Sequence, residues 1–408
     1  MWFGDVCYLF VKEGVYEYDP NLRYPWTQRL WVLVDSDDCP DRLPVWLSGH
    51  GNYFPVYAAS PSDKRWGRFH KTISTAVLVM DPWTKPEIHA AASAVSADYD
   101  SAKLDYVYDT FGPIPRLCID YQRSDGIELK RYARDLANSI TSLDIKTLQD
   151  VVKNADDMSM DSVSQKICLI RRDTPNIWEY SFTTSPITES VASRLALQLR
   201  NTDLKDTLKI FKHYSRISSI RGMTRCIFEA ICHRHFQVSI DITYTKMVRK
   251  PLNPRAKRQP QWHSAYIPLE NEALEQMRLQ LAQDPNGKES LKVQPSMVLE
   301  YSFESFPTHP TQDVYYIPTR SNEEALYSFI IHNNTLYIFQ FTMAGNHSIK
   351  AGLALLLEKL KTIITDYRFI FVMPTDSELL QIRSPKDKEL KQLQPYSARV
   401  DMNFEDLA

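Results

Sequence analysis

The first hundred residues show short apolar runs that end in turn residues. Three such runs lie at 29–38, 52–61 and 74–88, and the last leads into a helix-like pattern at 85–97. Apolar runs of this length, alternating with helices, are typical of buried parallel strands in an α/β sheet. The pattern therefore predicts a parallel α/β region over residues 1–100.

A helical pattern follows between residues 104 and 157. Apolar positions recur there at helical spacing on charged faces, after a turn that contains Gly112, Pro113 and Pro115. We predict a small helical subdomain at 101–160 that links the first region to the rest of the chain. A winged helix is one arrangement that such a linker can adopt.

The third region, residues 161–375, mixes strands and helices, so the chain is predicted to be an α/β protein of several domains. Its last part is the most regular. Two apolar runs separated by 332–335 predict a β-hairpin, residues 348–367 an amphipathic helix, and residues 368–374 a buried strand. Earlier in this region, the predicted elements are strands at 165–172, 178–184 and 236–250 and helices within 185–236. Residues 376–408 are mostly polar and predict a helix or a mobile tail.

Composition narrows the class of protein. With 43% hydrophobic and 24% charged residues, the 408-residue chain can form more than one packed core. Its net charge of −2 gives no whole-chain attraction to nucleic acid or membrane, so such a contact needs a local patch. No apolar run approaches the roughly 18 residues of a membrane helix, and the N-terminus lacks a signal-peptide pattern. Because the six cysteines are scattered without a CxxC pair, we predict an intracellular protein of the nucleus or cytoplasm, without membrane contact.

Two polar residues at predicted strand ends raise the question of a nucleotide site. Asp35 and Ser60 close the first two strands, and ligand groups collect at the carboxyl ends of parallel strands. An aspartate there can hold the magnesium ion of a bound nucleotide. The glycine-rich phosphate loop is missing, however, because the nearest fragment, at 287–290, lacks the first glycine and the hydroxyl after the lysine. An ordinary strand-end turn is the simpler interpretation, and ATP is not expected as a cofactor.

Several sequence blocks in a fixed order resemble a known family. The order helix, hairpin, helix, strand in the third region is the skeleton of the restriction-endonuclease-like fold. Together with the blocks below, it resembles the Crinkler and retrotransposon hot spot (RHS) proteins, which are effector-like proteins of fungi, oomycetes and trypanosomes. The blocks lie at 29–40, 54–61, 82–88, 111–117, 221–236 and 336–350. In that family a P-loop NTPase region precedes the nuclease-like domain, so the resemblance implies a truncated member that begins downstream of the phosphate loop.

The resemblance implies a magnesium-dependent nuclease site. In the general fold the metal ions are held by a glutamate on the first helix, an acid on the first hairpin strand, and a Glu or Gln two places before a lysine on the second strand. Glu229 would be the helix acid and Gln340 the strand residue, with Thr342 where the lysine usually stands. Lys350 and His347, near the start of the next helix, would assist at the scissile phosphate.

One metal ligand is missing from this pattern. Tyr327 and Ser328 occupy the first hairpin strand, where the resemblance implies an aspartate. Magnesium prefers carboxylate or water oxygens to a phenol. Asp313, Glu323 and Glu324 are the acids that can replace the missing one, and the sequence does not choose among them.

The same residues also fit a protein without catalytic activity. Gln340 can be a core amide with backbone partners, and Glu229 a solvated helix residue. The leading hypothesis is a Crinkler-like effector-type protein with a magnesium-dependent DNA nuclease site. The alternatives are an inactive module that binds nucleic acid or protein, and a regulatory ATPase remnant.

A basic segment at residues 244–262 is the candidate nucleic-acid contact. It contains no acid, several prolines, and Tyr244 and Trp262 at its ends, so we predict an exposed, extended loop. If all six of its cations met phosphates, the log–log salt slope of DNA binding would be about −5, from about −0.9 per contact. A solvated loop and a nuclear localisation signal are alternative uses of the same charges. The six cations are Lys246, Arg249, Lys250, Arg255, Lys257 and Arg258.

The cluster of Cys232, His233 and His235 has the residue types of a metal site. Residues one and two places apart on a helix do not face each other, however, and no fourth ligand is in view. We therefore interpret the cluster as an ordinary helix end.

Overall fold

The structure is a computed structural model that describes five short strands before residue 77 and most of the chain after it. The described residues are 2–3, 6–11, 14–17, 30–35, 53–58, 77–96, 98–120, 126–156, 160–161, 163–173, 181–249, 261–263, 288–302, 305–307, 309–319, 327–343, 346–349, 352–360, 364, 366–377, 381–383, 390 and 393–402. Within these residues, no helix combines the length and the apolar character needed to cross a membrane.

The first five strands form two small sheets. They are β1 (Trp2–Phe3), β2 (Val6–Val11), β3 (Gly14–Glu17), β4 (Leu30–Asp35) and β5 (Tyr53–Ala58). The first three are antiparallel, whereas β4 and β5 pair in parallel, which confirms the prediction for the first two apolar runs. The third predicted strand is wrong in its described part, because residues 77–84 form no strand and lead directly into a helix.

Six helices follow, five of them where the sequence pattern predicts helices; the sixth, at 164–167, overlaps the start of the strand predicted at 165–172. They are α1 (Lys85–Val95), α2 (Ser101–Phe111), α3 (Pro115–Asp120), α4 (Ile127–Thr141), α5 (Ile145–Asp156) and α6 (Ser164–Ile167). The longer helices are amphipathic; α4, for example, buries Leu129, Leu136 and Ile140 and exposes its charged side. These buried residues belong to the same hydrophobic core as the later elements, so the helical layer packs onto the rest of the protein.

A hairpin and three further helices complete this layer. They are β6 (Cys168–Arg172), β7 (Phe182–Pro186), α7 (Glu189–Leu199), α8 (Leu204–Tyr214) and α9 (Arg221–Val238). Helix α9 is buried along most of its length and is the central helix of the protein. Gly222 allows its close approach to β7, because a Cβ at that position would lie 2.6 Å from the Cβ of Ser185.

The remaining chain forms the main sheet. Its strands, with those of a smaller sheet, are β8 (Ile240–Lys246), β9 (Val248–Arg249), β10 (Gln261–His263), β11 (Lys288–Val293), β12 (Met297–Tyr301), β13 (Val314–Pro318), β14 (Ser328–His332), β15 (Thr335–Phe341), β16 (Asn346–Ser348), β17 (Asp366–Pro374), β18 (Gln381–Arg383) and β19 (Pro395–Val400), and helix α10 (Gly352–Leu360) precedes β17. Eight strands form the main sheet in the order β11-β8-β19-β17-β15-β14-β13-β12. Strand β17 is parallel to β15 and β19, β12 is parallel to β13, and the other neighbours are antiparallel.

The main sheet is strongly curled. Strands β11 and β12 are its two outer strands, yet the link between them is residues 294–296, which can span at most about 14 Å. In a flat sheet of eight strands the outer strands would lie about 34 Å apart. The sheet must therefore bend until its outer strands approach each other, and helix α9 packs against one of its faces, in contact with β8, β13 and β15.

Helices cover both faces of the sheet. On the α9 face, Phe236 packs among Tyr315, Phe339 and Phe341. On the opposite face, α10 packs against residues that alternate with these along the strands. That second core contains Leu353, Leu356 and Leu360 of α10 with Ile338, Phe369 and Phe371 of the sheet. The result is a three-layer arrangement of helix, sheet and helix.

The end of the chain agrees with the sequence prediction in part. The β14–β15 hairpin is confirmed, and its turn residues Asn333 and Asn334 have φ values of 50° and 61°, as a two-residue hairpin turn requires. Helix α10 and strand β17 also lie where the pattern predicts them. The predicted polar tail at 376–408 is wrong for residues 395–400, which form a buried strand between β17 and β8.

Candidate functional site

Glu229 lies in the middle of α9 and is mostly buried. Its side chain is 15% exposed, and its Oε1 lies 3.8 Å from Nε2 of His233, one helical turn further on. Burial alone would raise the pKa of Glu229, but the contact with His233 and the positive charges of Arg225 and Arg200 hold it below its ordinary value. The predicted helix acid is therefore an ionised carboxylate already engaged by its neighbours.

His233 connects this carboxylate to the main sheet. Its ring is 2% exposed, and Nδ1 lies 2.9 Å from the hydroxyl oxygen of Tyr315 on β13. With the proton on Nε2, toward Glu229, the imidazole accepts a hydrogen bond from Tyr315 at Nδ1, so we assign this tautomer. Burial, followed by the charge of Arg200, lowers the pKa of His233 to about 4. A neutral imidazole thus joins α9 to the sheet.

Replacing His233 with glutamine should weaken the dependence of stability on pH. The unfolded chain binds a proton at His233 near pH 6.5, and the folded chain binds it only at about pH 4. The stability that comes from a neutral His233 is therefore fully present above pH 6.5 and is lost as the pH falls toward 4. At pH 5 the loss is about 2 kcal/mol. Urea unfolding at pH 7 and pH 5 measures this loss of unfolding free energy. Between the two pH values, His233→Gln should lose less stability than the wild type, by the same amount. An equal loss in both proteins would contradict a buried, neutral imidazole.

Arg200 follows directly after α7 and completes this polar cluster. Its side chain is 7% exposed, and its Nη1 lies 3.7 Å from Oε1 of Glu300 on β12. Within the described part of the chain, its Nε and Nη1 have no hydrogen-bond acceptor. Burial lowers the pKa of Arg200, although the negative charge of Glu229 opposes this effect. The two carboxylates of this cluster, Glu229 and Glu300, therefore lie near two guanidinium groups, those of Arg200 and Arg225.

Gln340 lies on the opposite face of the sheet from Glu229. Its neighbours in β15, Phe339 and Phe341, belong to the core around α9, whereas Ile338 belongs to the core around α10. Because side chains alternate along a strand, Gln340 points toward the α10 side. Its side chain is buried there, at 7% exposure. The helix acid and the strand amide therefore do not meet.

Two other predicted positions of the hairpin share the face of Gln340. Thr342 is fully buried, and Tyr327 packs its ring against Phe369 with ring centroids 5.2 Å apart. Ser328 pairs with Phe339 across the hairpin, so it lies on the α9 face instead. Tyr327 and Ser328, the positions where an acid is expected, therefore bring no carboxylate to Glu229.

The three acids considered as replacements do not complete the site among the described residues. Asp313 lies at the other end of the hairpin, where its Oδ1 is 2.6 Å from Nδ1 of His332 and its N–H donates to the carbonyl of Ile331. Ile331 is four residues from Tyr327 along β14, which is about 13 Å in a strand. Glu323 and Glu324, like Lys350, lie outside the described residues.

Among the described residues, those expected to bind magnesium do not converge on one ion. Glu229 is engaged on one face, Gln340 is buried on the other, and Asp313 is bound to His332 at the far end of the hairpin. In the part of the chain that the structure describes, no group of three His, Cys, Asp or Glu side chains is arranged to hold a metal ion. Mg²⁺ requires several oxygen ligands close together, which these residues do not provide.

A smaller sheet brings the ends of the basic segment close to the end of the hairpin. Its order is β16-β18-β10-β9, and β16 starts shortly after β15 ends. The basic segment therefore ends in paired strands on both sides, and the prediction of an extended loop is wrong there. One row across this sheet consists of Arg249, Trp262, Ile382 and His347. The row joins a predicted nucleic-acid contact, Arg249, with a predicted site residue, His347.

The other predicted residues are spread over the chain. Lys246 is exposed at the end of β8, next to the small sheet, whereas Tyr244 is buried. Asp35 is the last residue of β4 and lies opposite Ala58 of β5. Lys250, Arg255, Lys257, Arg258 and Ser60 lie outside the described residues.

Comparison with known proteins does not place this chain in a family. No family model, curated protein or solved structure gives a significant match to it. The fold and the positions of these residues are therefore the evidence for its function.

Proposed function

We propose that this protein binds nucleic acid through a restriction-endonuclease-like domain that does not cleave it. The observation that carries this proposal is the small sheet, which joins both ends of the basic segment to the strand that follows β15. The proposal retains the Crinkler-like class implied by the sequence blocks and selects the inactive alternative over the nuclease.

The order of elements supports the restriction-endonuclease-like assignment. Helix α9 is followed, after an insertion, by the β14–β15 hairpin, helix α10 and strand β17. Helices α9 and α10 lie on opposite faces of the sheet, and β15 and β17 are parallel neighbours. This is the skeleton that the sequence pattern predicted for such a domain.

The chemistry of the hairpin argues against cleavage. Tyr327 and Gln340 stand on one face, where a metal-dependent nuclease keeps carboxylates, and Glu229 stands on the other. Phosphodiester hydrolysis in such enzymes needs metal ions that activate water and stabilise the leaving oxygen. A buried tyrosine and a buried amide are poor ligands for Mg²⁺.

The position of the basic segment favours a nucleic-acid partner, for which we propose DNA. The segment contains six cations and no acidic residue, so phosphates are the expected counter-charge. The resemblance places two predicted site positions, Gln340 and Thr342, at the end of β15. The register that puts Arg249 and His347 in one row brings the basic segment to that end.

A cleavage assay tests the inactive assignment. Supercoiled plasmid and single-stranded circular DNA are incubated with the wild type, Glu229→Ala and Gln340→Ala in Mg²⁺ or Mn²⁺, and both mobility and nicking are recorded. We expect all three proteins to shift the DNA and none to nick it. Nicking that is lost in Glu229→Ala or Gln340→Ala would identify an active nuclease, and the absence of any shift would reject a DNA partner.

A further inference from the structure

The guanidinium group of Arg200 is buried without hydrogen-bond partners. Arg200 follows directly after α7, and its side chain is 7% exposed. In the part of the chain that the structure describes, its buried Nε and Nη1 atoms have no acceptor within hydrogen-bonding distance. A buried charge without hydrogen bonds is strongly destabilising. A bound group that accepts hydrogen bonds from this guanidinium would therefore stabilise the folded chain.

The acids near Arg200 do not satisfy its N–H groups. Oε1 of Glu300, on β12, lies 3.7 Å from Nη1, which is too long for a hydrogen bond. Glu300 is also 50% exposed, so water can solvate its carboxylate. Glu229, on α9, acts on Arg200 through its charge, but its carboxylate is already engaged by His233 and by the charge of Arg225. The unmet need at Arg200 is therefore for hydrogen-bond acceptors.

The donors of Arg200, and not the net charge around it, decide which ligand fits. The two carboxylates and the two guanidinium groups of this cluster balance one another. A guanidinium has N–H donors and no acceptor, so its partner must supply acceptor atoms. Such hydrogen bonds are strongest when the acceptor is ionised, and the planar guanidinium matches the oxygens of a carboxylate or a phosphate. An oxyanion is therefore the ligand chemistry that satisfies Arg200 best.

Glu300 marks the side from which an oxyanion can reach Arg200. Because Glu300 is half-exposed and lies beside the buried Nη1, the guanidinium is just beneath the surface at β12. The Glu300 carboxylate repels an incoming anion and competes with it for the same guanidinium. An exposed glutamate changes rotamer rapidly, so the ligand can displace this side chain. Glu300 is therefore expected to weaken binding without blocking it.

We propose that Arg200 anchors a binding site for an oxyanion, either a carboxylate or a phosphate group, that enters beside β12 and displaces Glu300. The hydrogen bonds that the ligand accepts from Arg200 supply the affinity. The site uses no residue of the small sheet, so the proposal does not depend on DNA binding there.

Equilibrium dialysis with labelled anions tests this site. The full chain is dialysed at constant ionic strength against radiolabelled inorganic phosphate and, separately, against radiolabelled acetate. We expect saturable binding that Arg200→Gln weakens at least about tenfold, because it removes the charged donors. Glu300→Gln should tighten binding about tenfold, because it removes the competing charge at a half-exposed position. Binding of phosphate alone would identify a phosphate-bearing ligand, and binding of acetate alone a carboxylate.

The two variants make the test independent of a folding defect. Circular dichroism establishes whether Arg200→Gln is folded, and Glu300→Gln gives its own answer if that variant is not. The absence of saturable binding to the wild type would overturn the proposal and assign water to the donors of Arg200. An affinity that does not rise in Glu300→Gln, or that a folded Arg200→Gln retains, would also overturn it, because the anion would then be bound elsewhere on the chain.

Discussion

Neutralising the six cations of the basic segment is expected to abolish most of the affinity for DNA. If each cation meets a phosphate, binding releases the corresponding counterions, and the log–log salt slope of the wild type is about −5. Between 50 and 200 mM salt, that slope corresponds to about a thousandfold loss of affinity. A variant with glutamine at all six positions should bind weakly and with a slope close to zero, measured by fluorescence anisotropy of a labelled DNA. The substituted residues are Lys246, Arg249, Lys250, Arg255, Lys257 and Arg258.

A matched control separates the segment from net charge. Six exposed cations of the helical layer, changed to glutamine, alter the net charge of the chain by the same amount. This control should keep the wild-type slope, because its charges lie on helices and not on the basic segment. Equal loss of affinity in both variants would show that overall charge, and not the basic segment, attracts DNA. The control residues are Lys130, Arg131, Arg134, Lys146, Lys153 and Lys205.

Replacing Phe236 with alanine is expected to cause a large loss of stability. The ring is fully buried where α9 packs on the sheet, with ring centroids 5.1 Å from Phe339, 5.4 Å from Phe341 and 6.1 Å from Tyr315. Truncation leaves a cavity among aromatic side chains that cannot collapse easily, so the free energy of unfolding should fall by about 4 kcal/mol. Urea unfolding monitored by circular dichroism gives this difference.

The same helix offers the control for this measurement. Val238 is two residues further along α9 and is 56% exposed, so Val238→Ala should change stability by no more than about 0.5 kcal/mol. If Phe236→Ala were as mild as Val238→Ala, α9 would not be the helix on which the main sheet packs. The comparison therefore tests the central packing of the fold.

Local patterns in the sequence predict the local elements well. The two asparagines at 333 and 334 predict the hairpin because they tolerate positive φ, and the helical spacing after residue 348 predicts α10. Local patterns do not predict the pairing of strands that are far apart in the chain. Nothing in the composition of residues 395–400 shows that they insert between β17 and β8, because that position depends on partners far away in the chain. The polar residues around this short strand therefore predict a tail, whereas the structure has a buried strand there.

The arrangement of the candidate site residues depends on tertiary packing in the same way. Alternation along β15 shows that Gln340 and its two phenylalanine neighbours face opposite ways, but which face receives α9 depends on tertiary packing. The contact between Glu229 and His233 had a signal in the sequence, since the two residues are one helical turn apart. Arg200 gave no such signal, because an arginine at the end of a helix is usually solvated.

Glu229 is held by buried contacts that need no metal ion. In a metal site the carboxylate would face a second acid across a cleft. Here it faces an imidazole that is held by the hydroxyl of Tyr315, so the acid stabilises the packing of α9 on the sheet. The residues that we propose to meet DNA lie instead in the small sheet, at Arg249, Trp262 and His347. In our proposal, the DNA contact and the predicted helix acid are thus separate.

The position of DNA on the protein is the most direct test of this account. A single-stranded DNA that carries 4-thiothymidine is cross-linked to the protein by ultraviolet light, and the modified peptides are identified by mass spectrometry. We expect cross-links within residues 246–263, 346–348 and 381–383, the ranges that contain the strands of the small sheet. Cross-links confined to α9 around Glu229 would contradict it and would point to a nucleic-acid site on the face of the remnant acid.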